Sequence, residues 1–202
     1  MRLIATHSPG FDPETPWEDR GSRTTAESRL FSQIAARRSS PHTAREHVFT
    51  RLICPDWVNV IAFTEAGELL VVEQYRHGID ASTQEIIGGV CEVGEEPLLS
   101  AQREVLEETG HATDHWVSLG FCEPNPAVQN NKCHFFLALG CREVAPLDLD
   151  PSEELRVWAY PWDEWQERMR SGSVTHALVL AAFLRLTLWE GWEAFEKTLF
   201  RP

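Results

Sequence analysis

The chain has 202 residues, 43% of them hydrophobic and 24% charged, which is enough apolar content for one core of ordinary size. Its formal net charge is −13 and its Lys and Arg residues form no block, so a nucleic acid is not expected as the main partner. No run of about 18 apolar residues is present and the N-terminal stretch is poor in apolar residues, so we expect no membrane span and no secretory signal, but a soluble cytoplasmic protein.

The N-terminal part divides into a polar segment and two strand-like segments. Residues 1–25 are rich in Pro, Gly, Ser, Thr and charged side chains, which is typical of a flexible tail. SRLFSQIAARR and EHVFTRLI have the composition of strands, and the turn-forming SSPHTAR joins them. They predict an N-terminal β-hairpin over residues 26–54, followed by the main domain over residues 55–202.

The centre of the chain carries the strongest patterns. WVNVIAF and ELLVVEQYR are strands rich in Val, Ile and aromatic residues, and a short strand and a glycine-containing loop follow in STQEIIGGVCEVGEE. PLLSAQREVLEETG is the clearest helix, because Pro97 suits its first position and Gly110 stands where a helix usually stops. Its apolar residues Leu98, Ala101 and Val105 are expected to pack on a sheet.

The C-terminal third returns to strands and ends in helices. HWVSLGFCE, KCHFFLALG and RVWAYP are predicted strands, and PWDEWQERMRSG and SVTHALVLAAFLRLTLWEGW are predicted helices. Without a regular βαβ alternation, this order predicts the α+β class. The five cysteines are odd in number and contain no Cys-x-x-Cys pair, which favours reduced structural thiols over disulfides or a zinc site.

Three glutamates of the central helix stand at i, i+3 and i+4. The carboxylates of Glu104, Glu107 and Glu108 therefore share one helical face, where they repel one another by roughly a few tenths of a kcal/mol per pair. Oxygen ligands at this spacing suit Mg²⁺, which could polarise a phosphoryl group and activate water. A solvated acidic helix face is the alternative, and the three glutamates alone would favour it.

The wider spacing changes this interpretation. GVCEVGEEPLLSAQREVLEETG resembles the Nudix box, Gly-x5-Glu-x7-Arg-Glu-U-x-Glu-Glu-x-Gly-U, in which U is a large aliphatic residue. Every specified position matches except the last, where His111 replaces the aliphatic residue. The resemblance implies that residues 55–202 form a Nudix hydrolase domain, an α/β/α sandwich around a mixed sheet. It also implies Mg²⁺ as cofactor, with Mn²⁺ as the alternative.

The resemblance assigns roles inside the box by position. Glu104 and Glu108 resemble the principal metal ligands. Glu107 resembles a third ligand, direct or through a water molecule, and is also a candidate catalytic residue. The carbonyl of Gly88 resembles a backbone ligand.

The resemblance also implies a structural pair and a general base. Arg103 and Glu95 are similar to the pair that holds loop to helix in this family. The base that activates water comes from a Glu-rich loop before a late strand, which here matches LDPSEELRV. Glu153 is the first candidate and Glu154 the second.

The segments before the box indicate a substrate class. VVEQYRHG and EIIGG resemble the branch of ADP-ribose and nucleoside-diphosphate-sugar pyrophosphatases, whose motif is Glu-Gln-Tyr-Arg followed by Glu-Leu-Pro-Ala-Gly. Arg76 can donate two parallel hydrogen bonds to a phosphate, or else form a surface salt bridge. Glu85 is a candidate for ribose hydroxyls or a metal-bound water, with a structural role as the alternative. Trp57 could stack on a nucleobase, or pack in the core.

Further substrate contacts are expected from two other segments. PNPAVQNN offers Asn125, Gln129 and Asn131 to sugar hydroxyls or a base edge, although Asn also serves turns. The two N-terminal strands resemble the small exchanged sheet that makes many members of this branch dimers. We therefore predict a homodimer in which Arg51 of the second copy completes each pocket.

The expected reaction is hydrolysis of ADP-ribose or a nucleoside-diphosphate sugar to a nucleoside monophosphate and a sugar phosphate. A nucleoside di- or triphosphate or a dinucleotide is the alternative within the same chemistry. A Nudix-fold nucleotide sensor is the alternative from another class, but such proteins commonly lose box glutamates, and this chain keeps them all.

Overall fold

The computed structural model describes residues 12–149 and 154–199, which belong to two compact units. The first unit contains residues up to 54 and residues 125–130. It forms an antiparallel sheet in the order β1-β2-β3, with β1 at Glu18–Glu27, β2 at Ser32–Ser39 and β3 at Glu46–Ile53. The predicted flexible tail is wrong for residues 18–25, because they belong to β1. All ten residues of β1 are exposed, so no alternation of polar and apolar side chains marks this strand in the sequence.

The second unit contains residues 55–124 and 131–202 and carries all the remaining elements. The helix predicted over residues 173–192 is helical only from Ala177 to Thr187; residues 188–191 are not helical, and a further helix begins at Trp192. The strands are β4 (Trp57–Thr64), β5 (Leu69–Arg76), β6 (Ala81–Glu85), β7 (Ile87–Val90), β8 (His111–Ala112), β9 (His115–Cys122), β10 (Cys133–Glu143) and β11 (Leu155–Tyr160), and the helices are α1 (Pro97–Thr109), α2 (Trp162–Arg170), α3 (Ala177–Thr187) and α4 (Trp192–Leu199).

These strands form one mixed sheet of eight strands. Its main path runs β11-β5-β4-β10-β8, with β6 paired to β5, β7 to β4 and β9 to β10. The pair β4–β10 is parallel and the other pairs are antiparallel. The predicted α+β class with a mixed sheet is confirmed.

Both faces of β4 are covered, which explains its continuous apolar sequence. Val58, Val60 and Ala62 pack in the core that contains Ala101 and Val105 of α1. The alternate residues of the same strand, among them Ile61 and Phe63, pack in the core formed with α2, α3 and α4. Helices therefore lie on both sides of the sheet, as in an α/β/α sandwich. Among the described residues, no helix has the length and apolar character needed to cross a membrane.

Helix α1 uses its buried face for more than apolar packing. Ala101 and Val105 are fully buried in the core on one face of the sheet, whereas Leu98 is 37% exposed and is not one of the residues of that core. The buried face begins one turn into the helix, at Ser100, and includes two glutamates, Glu104 and Glu108. The helix thus turns carboxylates, not only apolar groups, toward the strands.

Candidate active site

Two glutamates of α1 pack directly on the backbone of β7. Glu104 and Glu108 are only 9% and 4% exposed. The N–H of Gly88 donates a hydrogen bond to Oε2 of Glu108 at 3.3 Å. A Cβ at Gly89 would lie 2.1 Å from Cδ and Oε1 of Glu104, so only a glycine leaves this carboxylate its present position. The structure thus brings together three of the four predicted metal-site residues.

Arg103 joins the fourth, Glu107, to this group. Its Nη1 donates to Oε1 of Glu104 at 2.8 Å and to Oε2 of Glu107 at 3.0 Å. On its other side, Nε and Nη2 donate to the carboxylate of Glu95 at 3.2 and 3.1 Å, and Nη2 also reaches the carbonyl of Val90 at 3.1 Å. Arg103 therefore ties the loop between β7 and α1 to the acidic face of the helix.

Glu95 is held by more donors than Arg103 alone. The hydroxyl of Ser100 donates to its Oε2 at 2.5 Å, and the N–H of Glu92 donates to the same oxygen at 3.0 Å. The hydrogen bonds from Arg103, which outweigh the opposing effect of burial, together with those from Ser100 and Glu92 lower the pKa of Glu95 to about 2. Hydrogen bonding to Glu95 in turn raises the pKa of Arg103. Both groups are thus charged at any pH near neutrality.

The donor set fits a hard divalent cation, although the side chains do not stand in a closed coordination shell. Within residues 12–149 and 154–199, no group of three or more His, Cys, Asp or Glu side chains is arranged to hold a metal ion. Glu104 and Glu107 direct oxygens to Arg103, and Glu108 accepts from a backbone N–H. Arg103 brings one positive charge to a cluster of several carboxylates, and the absence of a side chain at Gly89 lets the carboxylate of Glu104 lie close to the backbone of β7. Such an excess of carboxylate oxygen favours Mg²⁺ or Mn²⁺.

A cleft of about 590 Å³ opens beside Gly88 and Gly89. Trp57 and Arg76, two of the predicted substrate residues, line it. Its other walls are contributed by β4, β5, the segment after β5, β6, β7 and the start of α3 with the two residues before it. The lining residues there are Val58, Asn59, Tyr75, His77, Gly78, Ile79, Thr83, Val90, Thr175, His176 and Leu178.

The guanidinium of Arg76 is paired with Glu85. Its Nε and Nη2 donate to the two oxygens of that carboxylate at 2.8 and 2.6 Å, and Thr83 donates a further short hydrogen bond. Glu85 is 1% exposed and is absent from the cleft lining, so the structure encloses the carboxylate that was predicted to meet substrate. Burial alone would raise the pKa of Glu85, but the hydrogen bonds from Arg76 and Thr83 and the charges of Arg76 and His176 hold it below its ordinary value.

The remaining predicted substrate residues are divided between the two units. Asn131 belongs to the second unit, where its amide is buried and neither its Nδ2 nor its Oδ1 has a hydrogen-bond partner. Asn125, Gln129 and Arg51 belong to the first unit. There the backbone carbonyl of Asn125 accepts a hydrogen bond from the N–H of Gln129 at 2.8 Å. This bond closes a turn, which was the alternative to substrate binding for the Asn residues of this segment.

The candidate bases lie at the start of β11. Glu154 is exposed and immediately precedes that strand, whereas Glu153 lies outside the described residues. Two cleft residues, Tyr75 and His176, were missed by the sequence analysis. Tyr75 is next to Arg76 in the VVEQYRHG segment, and His176 comes just before α3. These two positions in the sequence are the signals that could have identified them.

Comparison with known proteins gives a family match and several relatives. A family model described as NUDIX domain matches residues 55–178. The ADP-ribose pyrophosphatase of Mycobacterium tuberculosis is 30% identical over 129 residues, which are 63% of this chain and 62% of that protein. The ADP-ribose pyrophosphatase of Bacillus subtilis is 30% identical over 144 residues, which are 69% of this chain and 76% of that protein.

A similar fold is known from a crystal structure of an ADP compounds hydrolase. The two chains superpose with a TM-score of 0.79 and 18% identity, over 92% of this chain and all of the other. At that identity the likeness concerns the fold alone. The family match, in contrast, spans the cleft, Gly88, Gly89 and the whole of α1.

Proposed function

The chain belongs to the Nudix hydrolase family, and we propose that it hydrolyses the pyrophosphate bond of ADP-ribose or of a nucleoside-diphosphate sugar. The products would be a nucleoside monophosphate and a sugar phosphate. The observation that carries the proposal is the packing of Glu104 and Glu108 against Gly88 and Gly89, beside a cleft that holds an arginine. Two relatives named as ADP-ribose pyrophosphatases support the substrate class.

We assign Mg²⁺, with Mn²⁺ as a substitute, to Glu104, Glu107, Glu108 and the carbonyl of Gly88. When bound, the cation would supply positive charge against the negative charge that develops on the leaving phosphate. Arg103 sets the directions of Glu104 and Glu107 through its hydrogen bonds. Its link to Glu95 keeps the preceding loop in place, so the ligands are oriented before substrate arrives.

The cleft has the size of a pocket for a nucleotide-like ligand, since such pockets commonly measure roughly 300–1,000 Å³. Arg76 would donate hydrogen bonds to a phosphate of the substrate, and Trp57 would stack on the base. We propose Glu153, or else Glu154, as the carboxylate that accepts a proton from the attacking water.

We also propose that the protein is a homodimer in which Arg51 of the second copy reaches the pocket. Asn125, Gln129 and Asn131 remain candidates for the sugar or base. The support for the dimer is the resemblance of the N-terminal strands to an exchanged sheet. Light scattering at several concentrations should give twice the mass of the 23.0 kDa chain, and a monomer at all concentrations would overturn the dimer.

A panel of substrates tests the proposed function. Release of phosphatase-sensitive product would be measured with ADP-ribose, ADP-glucose, GDP-mannose, UDP-glucose, GDP, dGTP and diadenosine polyphosphates, in Mg²⁺ and in EDTA. We expect Mg²⁺-dependent cleavage of the sugar-linked diphosphates. Cleavage of only the simple nucleotides or dinucleotides would overturn the substrate class, and binding without any cleavage would identify a sensor.

A further inference from the structure

The carboxylate of Glu85 has two basic neighbours at the wall of the cleft. Arg76 donates two hydrogen bonds to it, and Nε2 of His176 lies 3.7 Å from its Oε2. The side chain of Glu85 is 1% exposed, whereas those of Arg76 and His176 are 42% and 30% exposed. The buried anion is therefore paired closely with one cation, and a second basic group stands just beyond hydrogen-bond distance.

The proposed substrate and Glu85 compete for the same guanidinium. Glu85 already engages Nε and Nη2 of Arg76. A guanidinium can also bind an oxyanion through its two terminal nitrogens, and this end-on face shares Nη2 with the face that Glu85 uses. A phosphate that binds Arg76 in this way takes a share of the charge now paired with Glu85. A buried carboxylate that loses its counter-charge is strongly destabilised.

The geometry points to His176 as the positioning residue that neutralises Glu85 when Arg76 turns to a substrate phosphate. This inference rests on the proposed function, because it requires an anionic substrate at Arg76. His176 is placed for the role by its position immediately before α3, on the cleft side of Glu85. Its Nδ1 is buried without a hydrogen-bond partner, so a protonated ring carries one unpaired N–H. That cost is smaller than the cost of an uncompensated buried carboxylate.

Substrate binding should then be accompanied by uptake of a proton at His176. Among the described residues, the charged and titratable groups beside it include Glu85 at the end of β6 and Arg76 at the end of β5, with Tyr75 and His77 lining the same cleft. In the substrate-free protein Arg76 already pairs with Glu85, so the carboxylate needs a second cation only when a phosphate draws Arg76 away. Binding and protonation therefore favour each other, and binding weakens as the pH rises through the range in which histidine titrates.

The pH dependence of KM for ADP-ribose in Mg²⁺ tests this coupling from about pH 6 to about pH 8. His176→Gln removes the titratable group, His176→Lys keeps a positive charge throughout, and His115→Gln replaces an exposed histidine of β9 as the matched control. KM of the wild type and of His115→Gln should rise several-fold with pH. KM of His176→Gln should be high and change by less than about twofold, and KM of His176→Lys should be low and equally flat. The pH profile of kcat should be the same in all four proteins.

Isothermal titration calorimetry measures directly how many protons the protein takes up on binding. The Mg²⁺-loaded protein is titrated with α,β-methylene ADP-ribose, which resists cleavage, in two buffers of different ionisation enthalpy. The wild type should take up a fraction of a proton on binding, and His176→Gln should take up none. Uptake that persists in His176→Gln means that Glu85 itself is protonated, which overturns the inference, as does a wild-type KM that is independent of pH. If the wild type neither cleaves nor binds ADP-ribose, the proposed function has failed and the inference fails with it.

Discussion

Replacing Gly89 by alanine should separate catalysis from stability. A Cβ at this position would lie 2.1 Å from Cδ and Oε1 of Glu104, whereas ordinary van der Waals contact begins at 3.4 Å. The carboxylate must therefore retreat by about 1.3 Å, the difference between these two distances. The atoms that move are the far end of a flexible side chain, so the free energy of unfolding should fall by about 1 kcal/mol or less.

The effect on turnover should be much larger. A misplacement of about 1 Å at a reacting group commonly costs about 100-fold in rate, so kcat for ADP-ribose should fall by that order in Gly89→Ala. Steady-state kinetics and urea unfolding are measured on the same preparations of Gly89→Ala and of the control Gly110→Ala.

The control meets a different obstacle at the same distance. Gly110 has a φ of +69°, and a Cβ there would lie 2.1 Å from the backbone oxygen of Ala145. Because a backbone cannot retreat as a side chain can, Gly110→Ala should lose about 2–4 kcal/mol of stability. The reasoning is refuted if Gly89→Ala keeps kcat near the wild-type value, or if it loses as much stability as Gly110→Ala.

Three further substitutions test the groups around the site. A pKa of Glu95 lowered from 4.5 to about 2 corresponds to roughly 3 kcal/mol of stabilisation. Because the site is partly open to solvent, Glu95→Gln should lower the free energy of unfolding at pH 7 by only part of this, about 2 kcal/mol. The folded-state pKa of Glu95 is lower than the unfolded-state pKa, so the carboxylate stabilises the fold above pH 4.5 and this stabilisation is lost as the pH falls toward 2. Urea unfolding at a series of pH values should therefore show the difference in free energy of unfolding between the wild type and Glu95→Gln becoming smaller over that range. Arg76→Lys should raise KM for ADP-ribose about tenfold with a smaller change in kcat, because lysine lacks the planar fork; an unchanged KM would rule out the phosphate contact. Trp57→Leu should raise KM by about tenfold or less through lost stacking, whereas Trp158→Leu, at an exposed tryptophan of β11, should not; equal effects would assign Trp57 to packing alone.

The parts of the fold that the sequence predicts well are those where local pattern and burial agree. The strands β4 and β5 are apolar because the sheet is covered on both faces, and α1 has Pro97 at its start and Gly110 at its end. Strand β1 is exposed along its whole length, so its composition is that of a tail. Leu98 lies on the apolar side of a helical projection, yet the buried residues of α1 begin only at Ser100.

The candidate site likewise contains some groupings that the sequence predicts and others that it does not. Spacing along one helix is enough to place Glu104 and Glu108 on one face, because helical geometry fixes the positions of neighbouring side chains. The pairing of Arg76 with Glu85 depends on the antiparallel register of β5 and β6, and the approach of His176 to Glu85 depends on where the fold places the residue before α3. Such contacts depend on the tertiary structure, so no local sequence pattern predicts them.

The initial rate of AMP release from ADP-ribose by the wild type, Glu108→Gln and Glu96→Gln is the most direct test that the buried carboxylates of α1 carry the reaction. Glu96 is exposed and precedes the helix without a side-chain cap, so it controls for the loss of one negative charge. With Mg²⁺ we expect Glu108→Gln to be slower than the wild type by about 100-fold or more and Glu96→Gln to stay within about twofold. EDTA should abolish the rate in all three. Equal rates for Glu108→Gln and the wild type, or a rate that persists in EDTA, would contradict the account.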